Sequence, residues 1–320
     1  MTVKQQTNEN PNNIHLGSSL SEDRLQGLTF DYMITNPPFG VSWKSEQEFV
    51  LSEAQNPNGR FFVGTPRSSD GSLLFLQHMI SKIEQKGSRI GVVFNGSPLF
   101  TGDAGSGESE IRNWIIENDW LEAIVALPDQ LFFNTGISTY IWIVTNRKKP
   151  YRKGKVQLIN ATGLSSTMKK SLGSKRKFIT DEQRQQVLDT YLRFEESPIT
   201  KIYPNEFFGF TKVTVEQPLV DEKGKVVTDK KTKLPKPDSS LRDFERIPLQ
   251  TDIDTYFNEQ VKPHVPTAWM DRDKDKVGYE INFTKYFYEY KPLRSLEDIT
   301  RDLLKLEEES DGLMLKLLEQ

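Results

Sequence analysis

The chain has no cysteine, which excludes disulfides and thiolate metal sites. It has three histidines, His15, His78 and His264, too far apart in sequence to suggest a histidine metal site. No run of 18 apolar residues occurs, so no membrane span is expected. Residues 2–13 are polar and carry no apolar core of a secretory signal. An excess of one charge is also missing. The net charge of −3 does not describe a stand-alone nucleic-acid binder. What is present is 320 residues with 36% hydrophobic and 27% charged side chains. With a mean hydropathy of −0.58, that composition suits a soluble chain with one substantial core, or a core plus an extension.

Charge is uneven along the chain. Residues 147–177 hold eleven Lys and Arg, including Lys169, Lys170, Lys175 and Arg176, and no Asp or Glu. Such a run reads either as a solvated, loop-rich surface or as a surface that meets phosphates.

Apolar periodicity divides the chain into elements. Residues 30–35 read as a buried strand, and residues 41–70 as a long loop of the kind that usually carries function. A helix follows, capped by Ser69 or Asp70, with Leu73, Leu74, Leu76, Gln77, Ile80 and Ile83 as its buried stripe. Strands are expected at 89–94, 121–127, 139–145 and 155–159, and a helix at 110–118. Near-continuous apolar strands alternating with helices predict an α/β fold with a largely parallel sheet covered on both faces. Thr180-Asp181-Glu182-Gln183 is a capping box opening a helix to about 194. Residues 205–240 read as an antiparallel excursion, with Val213 to Val215 and Val226-Val227 flanking a turn at 221–225. A second capping box at Ser295 opens a leucine-rich final helix. The expected divisions are a polar lead-in (1–28), a catalytic α/β half (29–200), an α+β extension (201–290) and a terminal interaction helix (291–320).

The most specific motif is Asn36-Pro37-Pro38-Phe39, at the end of the first strand. An exocyclic amine on a purine is a poor nucleophile because its lone pair is delocalised into the ring. Two acceptors for its N–H groups favour a pyramidal nitrogen whose lone pair is available. The Asn36 side-chain oxygen supplies one. The Pro37 carbonyl supplies the other, its direction restricted by the following proline. Phe39 offers a flat stacking face, and Gly40 lets the chain turn away. Catalysis of methylation by such a motif rests on positioning and hydrogen bonding. Pro-Pro alone would mark only a tight turn at a strand end.

These residues sit among longer stretches: 30–40, 70–79 (Asp70 to Met79), 95–100 (Asn95 to Phe100), 108–112 (Glu108 to Arg112), 127–137 (Leu127 to Ile137), 269–271 and 278–281. Together they make the chain resemble the modification (M) subunit of type I restriction-modification systems, an adenine-N6 DNA methyltransferase. The resemblance runs from Ile14 onward. It implies a doubly wound, Rossmann-like methyltransferase sheet, present in part, and a C-terminal α+β extension with a terminal helix. It also implies S-adenosylmethionine as methyl donor and a cytoplasmic location. The implied partners are double-stranded DNA, a specificity (S) subunit, a restriction (R) subunit and a second M subunit.

Within the resemblance, Asn36, Pro37, Pro38 and Phe39 are the catalytic residues. Phe133, Thr135 and Gly136 belong to a loop that reads either as packing on the sheet or as a wall of a flipped-base pocket. Lys169, Lys170, Lys175 and Arg176 become DNA contacts. Gly17, Ser18 and Leu20, with Asn36, fall where the family holds its cofactor, although Ser18 stands where an aspartate is usual. The family's glycine-rich strand-turn and the acidic residue after the next strand do not occur. The chain is therefore expected to be the C-terminal part of an M subunit. The glycine-rich segment 102–107 lacks phosphate-loop spacing and reads as a connector, or as a supporting contact near the cleft. His78 reads as a packed helix residue. Two alternatives stay open: a methyltransferase of the same motif acting on rRNA guanine or protein glutamine, and an inactive remnant that binds only partner subunits or DNA.

Overall fold

The computed structural model describes residues 14–133, 135–290 and 293–318. The first thirteen residues of the expected lead-in, and Asn134 within the 127–137 stretch, lie outside them. The chain forms two compact units, one through Phe283 and one from Thr284 onward.

The strands of the first unit are β1 (Tyr32–Thr35), β2 (Arg89–Phe94), β3 (Leu121–Ala126), β4 (Tyr140–Thr145), β5 (Lys155–Asn160), β6 (Ser166–Leu172), β7 (Lys175–Phe178), β8 (Thr200–Pro204), β9 (Gly209–Glu216), β10 (Asp243–Pro248) and β11 (Trp269–Tyr279). The main sheet has the order β1-β2-β4-β3-β5-β8. β1 with β2 and β3 with β5 are parallel, whereas β4 runs against both β2 and β3, and β8 against β5. The sheet is therefore mixed. The link from β3 to β4 holds no crossover helix among its described residues, and a chain returning without one lands antiparallel beside the strand it left.

β3 is buried along its whole length, as a strand covered on both faces must be. β1 corrects the expectation of a buried strand. Among the described residues it pairs with β2 alone and forms the sheet's edge, with Tyr32 at 69% and Ile34 at 88% exposure.

The expected 41–70 loop contains a helix, α1 (Gln47–Ala54), whose Val50 is buried with Leu20, Trp43, Phe61 and Leu74. Its apolar Phe49, Val50 and Leu51 are consecutive and show no helical spacing, which made it hard to read. α2 (Ser72–Ile80) buries Leu73, Leu74, Leu76, Gln77 and Ile80 as expected. Its N-cap is Gly71, and Asp70 instead accepts from the Ser72 N–H at 3.1 Å. Ile83 falls beyond its end, in a bridge to Phe30. α3 (Gly107–Glu117) is capped by Ser106. The Thr180–Gln183 capping box opens α4 (Asp181–Arg193), which ends at Phe194 in the left-handed conformation. Glu122, buried on β3, pairs with Arg89 (3.1 Å) and Arg152 (3.7 Å) and accepts a hydrogen bond from the Tyr191 hydroxyl (2.7 Å), contacts that join β2, β3 and α4.

β9 is the centre of a second sheet, between β10 and β11. The 221–225 turn exists, closed by Asp221 N–H to Lys225 O at 2.9 Å, but Val226 makes only an isolated bridge to Val220. The partners of β9 come from later in the chain. Val226 is exposed and gains no burial from a longer ladder.

Arg112 of α3 ties this sheet to the main one. It is 1% exposed and donates to the carbonyls of Tyr279 (2.6 Å), Thr101 (2.8 Å), Pro98 (3.2 Å) and Gly102 (3.4 Å). Burial pulls its pKa down to about 10. Ser109 accepts from the Tyr279 N–H at 3.1 Å, and the Tyr279 hydroxyl reaches Glu117. Gly278 fits here for lack of a Cβ, which would lie 2.9 Å from the Ala104 Cβ. In the second unit, α5 (Leu296–Leu318) is amphipathic and exposes Leu296, Ile299, Leu303 and Leu306. No helix among the described residues is long and apolar enough to cross a membrane.

Arg112→Met would leave four carbonyls without their donor. We expect a loss of about 3 kcal/mol or more in folding stability, read as a lower urea midpoint at unchanged slope.

Candidate functional site

A cleft of about 630 Å³ opens at the carboxyl ends of β1 and β2, the usual ligand side of an open α/β sheet. Asn36, Pro37, Pro38, Phe39 and Gly40 form one wall. The Asn36 side chain is exposed, while Pro37 beside it is buried. Gly40 adopts φ +60°, where L side chains are strained, and reverses the chain. The segment beyond it is anchored. Val41 O accepts from Gly71 N–H (3.1 Å), Trp43 N–H donates to Ser68 O (3.1 Å), and the Trp43 indole donates to Arg67 O (2.9 Å). Trp43 itself is buried, so the motif stands between a sheet strand and a core anchor and is fixed at both ends.

The facing wall is the β3–β4 connection, through Phe132, Phe133, Thr135 and Ile137. Leu131 packs this loop onto Val125, Leu127, Ile159 and Ala161. Packing and cavity lining thus belong to neighbouring residues of one loop. Gly136 is exposed on it.

The β6–β7 hairpin docks on the outside of the same loop. Phe133 O accepts from Ser174 N–H (3.0 Å), and Gln130 O accepts from the N–H groups of Arg176 (3.0 Å) and Lys177 (3.2 Å). Lys177 pairs with Asp129, and the Lys175 ammonium lies 4.9 Å from the Phe133 ring centroid. Gly173 turns the hairpin at φ +61°, where a Cβ would approach Phe133 O to 2.9 Å. Lys169, Lys170 and Arg176 are exposed. Among the described residues none of these three, nor Lys175, has a carboxylate partner; Lys177 of the same hairpin does. The structure therefore brings the basic hairpin, the 132–137 loop and the Asn36 motif to one end of the sheet.

It does not bring Gly17, Ser18 and Leu20 there. Leu20 is 5% exposed, in the core with Trp43. The Ser18 hydroxyl accepts from the Leu20 N–H at 3.3 Å. Gly17 lines a separate small cavity with His15, Asp23 and His78. Arg60 closes that region, donating to the carbonyls of Ser19 (2.7 Å) and Leu20 (2.8 Å), to Glu53 (2.7 Å) and to His78 Nδ1 (2.9 Å). Lys82 pairs there with Asp23. The cluster fastens the lead-in to α1 and α2. The 102–107 segment is a connector: Gly107 abuts the Thr65 backbone, Ser106 caps α3, and Asp103 pairs with Lys212 and Arg246.

Phe132, part of the expected pocket-wall loop, lines the cleft, and so do Asn95 and Ile137, which sequence reasoning did not single out as site residues. For Asn95 a signal existed. It follows the apolar run of β2 as Asn36 follows that of β1.

A family model described as N-6 DNA Methylase matches residues 2–217. The chain is 30% identical over 220 residues to the type I restriction enzyme MjaIX methylase subunit of Methanocaldococcus jannaschii, covering 67% of this chain and 37% of that protein. It is 38% identical over 132 residues to the type I restriction enzyme HindI methylase subunit of Haemophilus influenzae, covering 41% and 27%. It thus spans between about a quarter and two fifths of the length of these relatives. Among solved structures, the type I restriction-modification system methyltransferase subunit from Streptococcus thermophilus superposes with a TM-score of 0.53 at 22% identity, covering 63% of this chain and 41% of that one. That likeness shows the fold.

Burial, then the Arg60 charge, pulls the His78 pKa down from 6.5 to about 4, so the folded state keeps the ring neutral. A depressed histidine pKa makes folding weaker as pH falls from about 6.5 toward 4. Burial acts to raise the Asp23 and Glu53 carboxyls, but hydrogen bonds and charge from Lys82 and Arg60 hold both below their usual range, so their losses begin lower, under about 4.5. We expect the melting temperature to fall between pH 7.5 and 5 in the wild type and to stay nearly level there in His78→Gln.

Proposed function

Because the chain belongs to the N-6 DNA methylase family, we propose that it holds the accepting adenine in DNA N6-methylation, as a type I modification subunit. One observation carries this reading. The Asn36-Pro37-Pro38-Phe39 wall faces the Phe132–Ile137 loop across an open cleft at the carboxyl ends of the parallel strands. The Asn36 oxygen and the Pro37 carbonyl accept from the two N–H groups of the adenine amine. Phe39 and Phe133 offer aromatic faces to an extruded base. The amine's proton leaves after methylation, so no general base is required of the cleft. Among the described residues, its lining side chains include none.

The methyl donor of this reading is S-adenosylmethionine, a sulfonium that supplies an electrophilic methyl. The described residues do not make a holder for it. Leu20 is core, Gly17 lines another cavity, and no acidic side chain among them lines the cleft. The role assigned to these residues is therefore to grip and orient the amine.

The β6–β7 hairpin supports a DNA contact. Among the described residues, Lys169, Lys170, Lys175 and Arg176 are cations free of carboxylates, beside the cleft wall, on a chain of net charge −3. The exposed leucines of α5 support docking to another subunit: a specificity subunit, a second modification subunit or a restriction subunit.

The decisive assay is transfer of labelled methyl from S-adenosylmethionine to duplex DNA by the protein in its subunit complex, with an upstream donor-binding methyltransferase fragment added and the product base identified by mass spectrometry. N6-methyladenine is expected, and Asn36→Ala is expected to lower the rate by about 10²-fold or more while leaving DNA affinity nearly unchanged. A different methylated base, or an unchanged rate in Asn36→Ala, would remove the proposal. Replacing Lys169, Lys170 and Lys175 together by alanine should flatten the dependence of log affinity on log salt by about 0.9 for each phosphate that these lysines neutralise.

A further inference from the structure

We infer that Asn95 donates a hydrogen bond to N1 of the adenine, completing the recognition of its Watson–Crick edge. The inference rests on the reading of the cleft as an adenine site. Three observations carry it. Asn95 lines the same cleft as Asn36, at the end of the neighbouring parallel strand. Its Oδ1 accepts the Ser97 N–H at 3.0 Å. That bond fixes the orientation of the amide, since the reversed one would set an NH₂ against an N–H. The Nδ2 donor is consequently the free end, with no hydrogen bond of its own among the described residues beside the Oδ1 contact.

Of the polar groups lining the cleft, Asn36 Oδ1 and Pro37 O are then the acceptors assigned to the amine, and Asn95 Nδ2 the donor assigned to N1. The edge of adenine presents an NH₂ and, next to it, the acceptor N1. Each group meets its complement. Thymine and guanine present an oxygen beside an N–H, so each would set acceptor against acceptor and donor against donor, the mismatch that discriminates most strongly. Cytosine shares adenine's pattern but is a smaller ring. Its exclusion falls to the span between Phe39 and Phe133. Asn95 is thus a binding residue that makes the site read a base, where Asn36 alone reads an amine.

The test uses single-stranded oligothymidine with one central adenine, which removes the cost of extrusion from a duplex. Affinity is read by fluorescence anisotropy for oligonucleotides carrying adenine, 1-deazaadenine, 7-deazaadenine or thymine at that position. The wild-type chain should prefer adenine to thymine, lose about five- to tenfold on 1-deazaadenine and lose little on 7-deazaadenine. Asn95→Asp keeps the acceptor for Ser97 and removes the donor. It should bind adenine at least as weakly as the wild type binds 1-deazaadenine, because an acceptor then faces the N1 lone pair, with no further loss on that analogue. A full 1-deazaadenine penalty in Asn95→Asp overturns the inference, as does a wild-type penalty that falls on 7-deazaadenine instead. The comparison of the two analogues on the wild type stands whether or not the variant folds. A wild type indifferent to adenine and thymine overturns the adenine reading of the cleft itself, a different failure from that of Asn95.

Discussion

Strand direction is the constraint on which the rest depends. β1, β2, β3 and β5 point the same way, and β4 points back. The parallel pairing of β1 with β2, from Tyr32 opposite Arg89 to Thr35 opposite Val92, delivers Asn36 and Asn95 to one rim. Because β4 is antiparallel to β3, their connection leaves and re-enters the sheet at that same rim, which is why the 132–137 loop faces the Asn36 motif. The chain leaving β5 emerges there too, and its first element is the basic hairpin. Had β4 been parallel, the same loop would have had to cross to the far end of the sheet.

What the sequence made legible follows from how local each signal is. The Asn36 motif, the α2 stripe and the Thr180 capping box are each written within a few residues, and each stands where expected apart from Ile83, beyond the end of α2. β1 looked buried because Tyr32, Met33 and Ile34 are apolar. Burial, however, depends on what lies beside a strand, and composition carries no record of that. α1 was hidden because a helix with one deeply buried residue, Val50, leaves little periodicity to find. β9 found its partners at 243–248 and 269–279, and no local turn announces a pairing of that separation.

Several stretches that carried the family resemblance turn out to touch one another. Segment 108–112 supplies Ser109 and Arg112 to the backbone of Tyr279, from segment 278–281, and Arg112 also holds the Pro98 carbonyl, from segment 95–100. Their function is architectural: a buried guanidinium satisfied wholly by carbonyls leaves no room for another side chain. By contrast, of the cofactor residues carried over by resemblance alone, Leu20 took its place in the core around Trp43 and Val50, and Gly17 lines a separate cavity. A residue's position in a matched segment predicts its surroundings well only where its own side chain makes the contacts in question.

The docking of the hairpin on the cleft wall has a mechanical consequence. Ser174, Arg176 and Lys177 hold the loop through backbone bonds, and Lys175 rests over the Phe133 ring. Cations and aromatic face are therefore tied together by the hairpin's bonds to the loop. Under the proposed function, the spacing from charge to ring is a built-in ruler. It would measure how far along a nucleic-acid strand the reacting base lies from the phosphates that are held.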